Sequence, residues 1–131
     1  MSQENVELVR RGTRDVHVFW EMLDEEVICD TRNFPTFSVD SDGVYVGRSA
    51  VIDANRRYWG TWDDYHLEAE ELIDAGPSVV CVVRERGRGR GSGAPVERQW
   101  AQVWTFRRGR IIRWELFGDK AAALEAAGLA E

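Results

Sequence analysis

The sequence predicts a single α+β domain, and three observations carry that prediction. The first half sets apolar residues at helical spacing, the stretch from His66 onward reads as consecutive strands, and an alanine-rich segment closes the chain. With 131 residues there is enough chain for one domain, 1–131, around one hydrophobic core.

Residues 3–11 gather Val6, Leu8 and Val9 among Glu4, Glu7, Arg10 and Arg11, which predicts a first helix with Ser2 as N-cap, interrupted at Gly12. Val16, Phe19, Trp20 and Leu23 share one face of a second helix, from about Asp15 to Asp24. The β-branched run Glu26 to Thr31 reads as a strand. Asn33-Phe34-Pro35 and Asp40-Ser41-Asp42-Gly43 follow it with turn chemistry. Val44 to Arg48 is a brief strand, and Ser49 is placed to cap a third helix from Ala50 to Tyr58 or Trp62.

Four strands come next: His66 to Ile73, Ser78 to Arg86, Val96 to Arg107 and Arg110 to Phe117. Gly109 supplies the positive φ that a tight hairpin at Arg107-Arg108-Gly109-Arg110 needs. The arginine-glycine run Arg86 to Gly93 lies between two strong strands and reads as a solvated hairpin tip rather than an anion-binding arm. Asp119 to Leu129 is the closing helix, with Gly128 near its stop.

The formal charge of −6 argues against nucleic acid as a partner, because phosphate binding needs a positive face. No apolar run reaches the roughly 20 residues of a membrane span, so no membrane partner is expected either. The polar start Met1-Ser2-Gln3-Glu4-Asn5 is unlike a secretory signal, so the expected location is cytoplasmic. In that compartment Cys29 and Cys81 read as buried thiols, not a disulfide. His17 and His66 lie in no ligand spacing, and phosphate loops, nucleophile elbows and Cys-His pairs are missing from the sequence; the expectation is no metal and no cofactor.

The order of several short motifs resembles the SnoaL-like branch of the nuclear-transport-factor-two-like superfamily. They are residues 2–11, Met22-Leu23-Asp24-Glu25-Glu26-Val27, Gly43-Val44-Tyr45-Val46-Gly47, Trp62-Asp63-Asp64-Tyr65, residues 70–76, Gly109-Arg110-Ile111-Ile112-Arg113 and residues 119–124. The resemblance covers nearly the whole chain. It implies a cone-shaped, curved antiparallel sheet wrapped around about three N-terminal helices, with a short C-terminal helix and an apolar cavity open at one end. It further implies a homodimer through the convex face of the sheet, as an uncovered apolar face would favour. Family members are isomerases, polyketide cyclases, epoxide hydrolases and dehydratases, and others only bind or dimerise, so the fold does not set the function. The chain departs from the family in its first helix, which looks shortened because only Gly12-Thr13-Arg14 separates Arg11 from Asp15.

Asp119 matches the acid/base carboxylate of the polyketide cyclases, a role that requires apolar walls to raise its pKa. The same residue is placed to cap the last helix. Asp30 lies near the position where isomerases of the superfamily carry a proton-transferring carboxylate; one residue of register decides whether it or Cys29 faces inward. Tyr45 is either a donor to a ligand oxygen or a packing residue at the rim. Strand parity puts Arg98, Trp100, Gln102, Trp104 and Phe106 on one face, with Gln102 as the polar handle, and sets Ile112, Trp114 and Leu116 together on the last strand. With Trp59 on the third helix, these tryptophans suit a flat apolar ligand, a dimer interface or a large core.

Two functions remain open on the sequence. One is a cofactor-independent isomerase, cyclase or hydrolase-type enzyme acting on a small, apolar, oxygenated molecule, with Asp119 or Asp30 moving the proton. The other is a ligand-binding or dimerising module without chemistry. An enzyme requires a carboxylate that reaches the cavity; a module leaves Asp119 and Asp30 committed to backbone or salt-bridge partners.

Overall fold

A computed structural model describes residues 2–34, 37 and 42–129. The side chain of Ser2, and the turn residues Pro35, Asp40 and Ser41, lie outside that description. The described elements run α1 (Ser2–Arg14), α2 (Val16–Met22), β1 (Leu23–Asn33), β2 (Val44–Val46), α3 (Arg48–Trp59), β3 (Trp62–Ala75), β4 (Ser78–Gly89), β5 (Pro95–Arg107), β6 (Arg110–Phe117) and α4 (Lys120–Ala126). None of the described helices is long and apolar enough to cross a membrane.

Helix α1 does not stop at Gly12. It continues to Arg14, and the glycine serves close approach: a Cβ there would sit 3.0 Å from Met22 Cε and from the Trp104 ring. The first helix therefore runs three residues past Arg11, and its last turn forms part of a cavity wall. Asp15 starts α2 by accepting from the His17 N–H at 2.9 Å. Helix α3 begins at Gly47, with φ 98°, not at Ser49, which lies one residue inside the helix. A left-handed conformation is open to glycine without steric cost, and the strand-to-helix corner uses it.

The curved sheet has the order β2-β1-β6-β5-β4-β3. One ladder departs from an antiparallel arrangement, since β1 runs parallel to β6. The β5–β6 hairpin turns at Arg108 (φ 54°) and Gly109 (φ 78°). Two of the sheet's register shifts alter the alternation of β3 and β6 within their long ladders. Ala69 pairs with Val83 and Glu71 with Val82, so Glu70 is an extra residue; Phe106 pairs with Ile111 and Thr105 with Arg113, so Ile112 is extra. Ile111, not Ile112, consequently joins Trp114 and Leu116 in the core, and Leu72 packs on it beside Leu67 and Ala69.

On the inner face, Val9, Phe19, Val51 and Tyr58 of the helices pack against Cys29, Val79, Cys81, Val83 and the tryptophans of β5 and β6. Both cysteines are fully buried and free, and burial pushes the Cys81 thiol up to about 12. On the outer face, Val80, Val82, Ala101, Val103 and Phe117 are covered by Ala123 and its neighbours on α4. Beyond α4 this face carries ion pairs, including Arg84 with Glu70 at 2.7 Å and Lys120 with Glu71 at 2.9 Å. The uncovered apolar convex face that would favour a homodimer is not found among the described residues, where α4 and charged side chains cover it.

Replacing Gly12 tests the α1–β5 approach. Gly12→Val should cost about 1–3 kcal/mol through overpacking against Trp104, even though valine is the better helix former. Thermal unfolding of the two proteins measures it.

Candidate functional site

A cavity of about 350 Å³ lies between the helices and the inner face of the sheet. Gly12, Thr13 and Arg14 of α1 form one side; Asn55, Tyr58 and Trp59 of α3 another; Trp100, Gln102 and Trp104 of β5, with Trp114 of β6, form the floor. Alternation along β5 explains the floor, because residues two apart share a face.

Gln102 is 3% exposed, and its Oε1 accepts from two indoles: Trp104 Nε1 at 2.6 Å and Trp114 Nε1 at 3.1 Å. Indole nitrogen only donates, so these two bonds fix which end of the amide is oxygen. The amide NH2 group has no partner among the described residues and is left to donate into the cavity that Gln102 lines. Asn55 repeats the arrangement. It is 5% exposed, its Oδ1 accepts from Trp20 Nε1 at 2.9 Å, and its NH2 group also has no partner among the described residues.

Behind the wall sits a buried acid. Glu85, 0% exposed, takes Tyr58 OH at 2.6 Å and Tyr65 OH at 2.7 Å on Oε2, and Arg98 Nε at 2.7 Å on Oε1. Arg98 also donates from Nη2 to Tyr58 OH at 3.0 Å. Glu85 and Arg98 are direct cross-strand partners, so the register of β4 on β5 creates the pair. Burial, and then the Glu85 charge, push both phenols well above their ordinary range.

The tryptophans Trp59, Trp100, Trp104 and Trp114 come together with Gln102 around the cavity. The two carboxylates singled out from the sequence do not join them. Asp119 is exposed and caps α4, accepting from the Ala122 N–H at 2.9 Å. Asp30 lies across β1 from the buried Cys29 and pairs with Arg32 at 2.9 Å and Arg113 at 3.4 Å. Hydrogen bonds from Arg32 hold its carboxyl below the usual carboxylate range. Tyr45, opposite Cys29 on β2, is half-buried and does not line the cavity. Among the described residues there is no group of three His, Cys, Asp or Glu side chains able to hold a metal ion.

Sequence reasoning missed Asn55, Tyr58, Tyr65 and Glu85, although two signals were present. Glu85 continues the inward alternation of Val79, Cys81 and Val83, and Asn55 sits one helical turn from Val51 on the buried face of α3.

Removing the buried acid should be severe. Glu85→Ala removes the buried acceptor that Arg98 and two phenols share and is expected to cost about 3–5 kcal/mol in denaturant unfolding. The raised phenols set an alkaline limit. Stability from a phenol whose folded pKa exceeds its unfolded value near 10 is complete below about pH 10 and is lost as pH rises beyond it. Unfolding free energy should therefore fall above about pH 10, by up to about 1.4 kcal/mol per pH unit for each phenol. Tyr65→Phe should flatten that slope.

Comparison with known proteins agrees with this architecture. The SnoaL-like domain family matches the sequence over residues 6–114. A putative SnoaL-like polyketide cyclase from Jannaschia sp. CCS1 superposes with a TM-score of 0.74 at 21% identity, over 99% of this chain and 94% of that one. An NTF2-like protein from Burkholderia thailandensis E264 gives 0.73 at 24% identity, over 95% of each chain. TerC, co-crystallised with polyporic acid, gives 0.70 at 18% identity, over 97% of this chain and 98% of that one. No curated protein matches the sequence. At these identities the structural likeness shows the fold. Since the family match spans residues 6–114 of 131, the chain belongs to the SnoaL-like domain family.

Proposed function

We propose that the protein binds a small, flat, largely apolar molecule through an oxygen atom that accepts from Gln102, with no proton transfer by Asp30 or Asp119. The SnoaL-like fold fits cofactor-free small-molecule binding or catalysis. The observation that carries the binding reading is the Gln102 amide, whose oxygen is occupied by two indoles and whose NH2 group has no described partner. This donor faces the cavity and is free to meet a ligand acceptor, and the flat rings around it favour a flat ligand.

Proton transfer is most often carried by an imidazole or a carboxylate within reach of the bound molecule. The described lining has neither, and its two phenols are raised well above the range in which they would act as bases. Glu85 stands behind Tyr58 and Tyr65 with both oxygens engaged, Asp119 caps a helix and Asp30 is ion-paired. TerC, a relative in fold, was co-crystallised with a small molecule, polyporic acid, which accords with a small-molecule cavity.

Fluorenone and fluorene, a ketone and a hydrocarbon of similar outline, test the reading by tryptophan fluorescence titration. The ketone should bind about five- to tenfold more tightly, as one hydrogen bond of about 1–1.4 kcal/mol implies. Gln102→Glu keeps the oxygen that both indoles need but removes the NH2 donor, so it should abolish the preference for the ketone. Asp119→Asn should leave both affinities unchanged. Absence of binding by either compound, or a ketone preference that survives Gln102→Glu, would overturn the proposal.

A further inference from the structure

Donors on the described wall of the cavity that lack protein acceptors include the Asn55 and Gln102 amide NH2 groups and the Arg14 guanidinium. Arg14 closes the last turn of α1 with its side chain exposed, and it is the charged side chain among the described lining residues. It makes no ion pair within the described structure. It also borders an outer groove beside Glu68, Glu70 and Glu71, yet those carboxylates are engaged by Arg86, Arg84 and Lys120. The indole N–H of Trp100, another wall residue, is buried without a partner among the described residues.

The amide oxygens and the Tyr58 hydroxyl of the wall, by contrast, are occupied as acceptors. Both amide oxygens take indole N–H groups, Tyr58 OH accepts from Arg98, and the Thr13 hydroxyl donates to the Arg10 carbonyl at 2.9 Å. The charge of Glu85 is offset by Arg98 at 2.7 Å, so the potential inside is set by Arg14 at the rim. Aromatic faces alone would also suit a cation, but a cation here would meet Arg14 with no carboxylate on the described wall to balance it.

We infer that the natural ligand is an organic anion, a flat aromatic molecule whose delocalised oxyanion, carboxylate or enolate, pairs with Arg14 at the rim while its other oxygens accept from Asn55 and Gln102. This rests on the binding role proposed for the same cavity. A guanidinium matches a two-oxygen anion with two parallel hydrogen bonds, and a charged partner roughly doubles the strength of each.

Three naphthalene probes separate the possibilities by fluorescence titration: 2-naphthoate, its neutral methyl ester, and a naphthylmethyl-trimethylammonium cation. At low salt the carboxylate should bind about tenfold more tightly than the ester, and the advantage should shrink as salt screens the exposed arginine. Arg14→Gln should bring the carboxylate-to-ester ratio close to one, while Arg14→Lys should restore part of it. An ester that binds as well as the carboxylate, or a ratio indifferent to Arg14→Gln, would overturn the anion inference and leave the cavity role standing. A cation bound more tightly than the carboxylate would overturn it in favour of an aromatic cation cage. Failure of all three probes, together with failure of fluorenone, would overturn both.

Discussion

The cavity depends on one carboxylate that never reaches it. Glu85 draws together Tyr58 from α3, Tyr65 from β3 and Arg98 from β5, so that a single buried charge ties three neighbouring elements to β4. A buried ion is expensive unless its lone pairs are met, and here both oxygens are met at 2.6–2.7 Å. The phenol rings are thereby held at the wall by their hydroxyl ends. Apolar packing alone would allow such rings to close on the space between helix and sheet, since cores otherwise pack to near-crystalline density. The Glu85 cluster acts as a strut.

The same cluster explains why the fold and the chemistry come apart. A carboxylate with open lone pairs in an apolar cavity would be a proton acceptor of raised pKa. Glu85 instead accepts from two phenols and a guanidinium, an arrangement that positions its neighbours and leaves no lone pair aimed at a ligand. Asp30 is held ionised by arginines on the other side of β1, and Asp119 is occupied by the N-terminus of α4. Each acid has a structural task, and the open part of the cavity is left to amides, indoles and phenols.

Much of this was legible in the sequence where a period could be counted. Alternation along β5 places Trp100, Gln102 and Trp104 on one face, and β6 spans Arg110 to Phe117 as read. Counting fails where the backbone adds a residue. The extra residues at Glu70 and Ile112 each shift the alternation by one, and neither side chain announces a bulge. Gly12 misleads in a different way. Glycine commonly marks the end of a helix, but here its missing Cβ makes room for Trp104, a contact 92 residues distant in sequence that no local pattern encodes. Glu85 and Arg98 face each other only through the β4–β5 register, which sets the pair that local propensity leaves unspecified.

The tryptophans carry the last step. Six of them in 131 residues read first as flat apolar surface. Three, Trp20, Trp104 and Trp114, also commit their N–H groups to the oxygens of Asn55 and Gln102. A side-chain amide can ordinarily rotate to show either its oxygen or its nitrogen, so its polarity adapts to a partner. An indole N–H cannot accept, and reversing the Gln102 amide would set its NH2 against two donors at once. The rings that make the cavity apolar therefore also fix the sign of its polar groups. A cavity built in this way selects for shape and for acceptors together, and it does so before any ligand arrives.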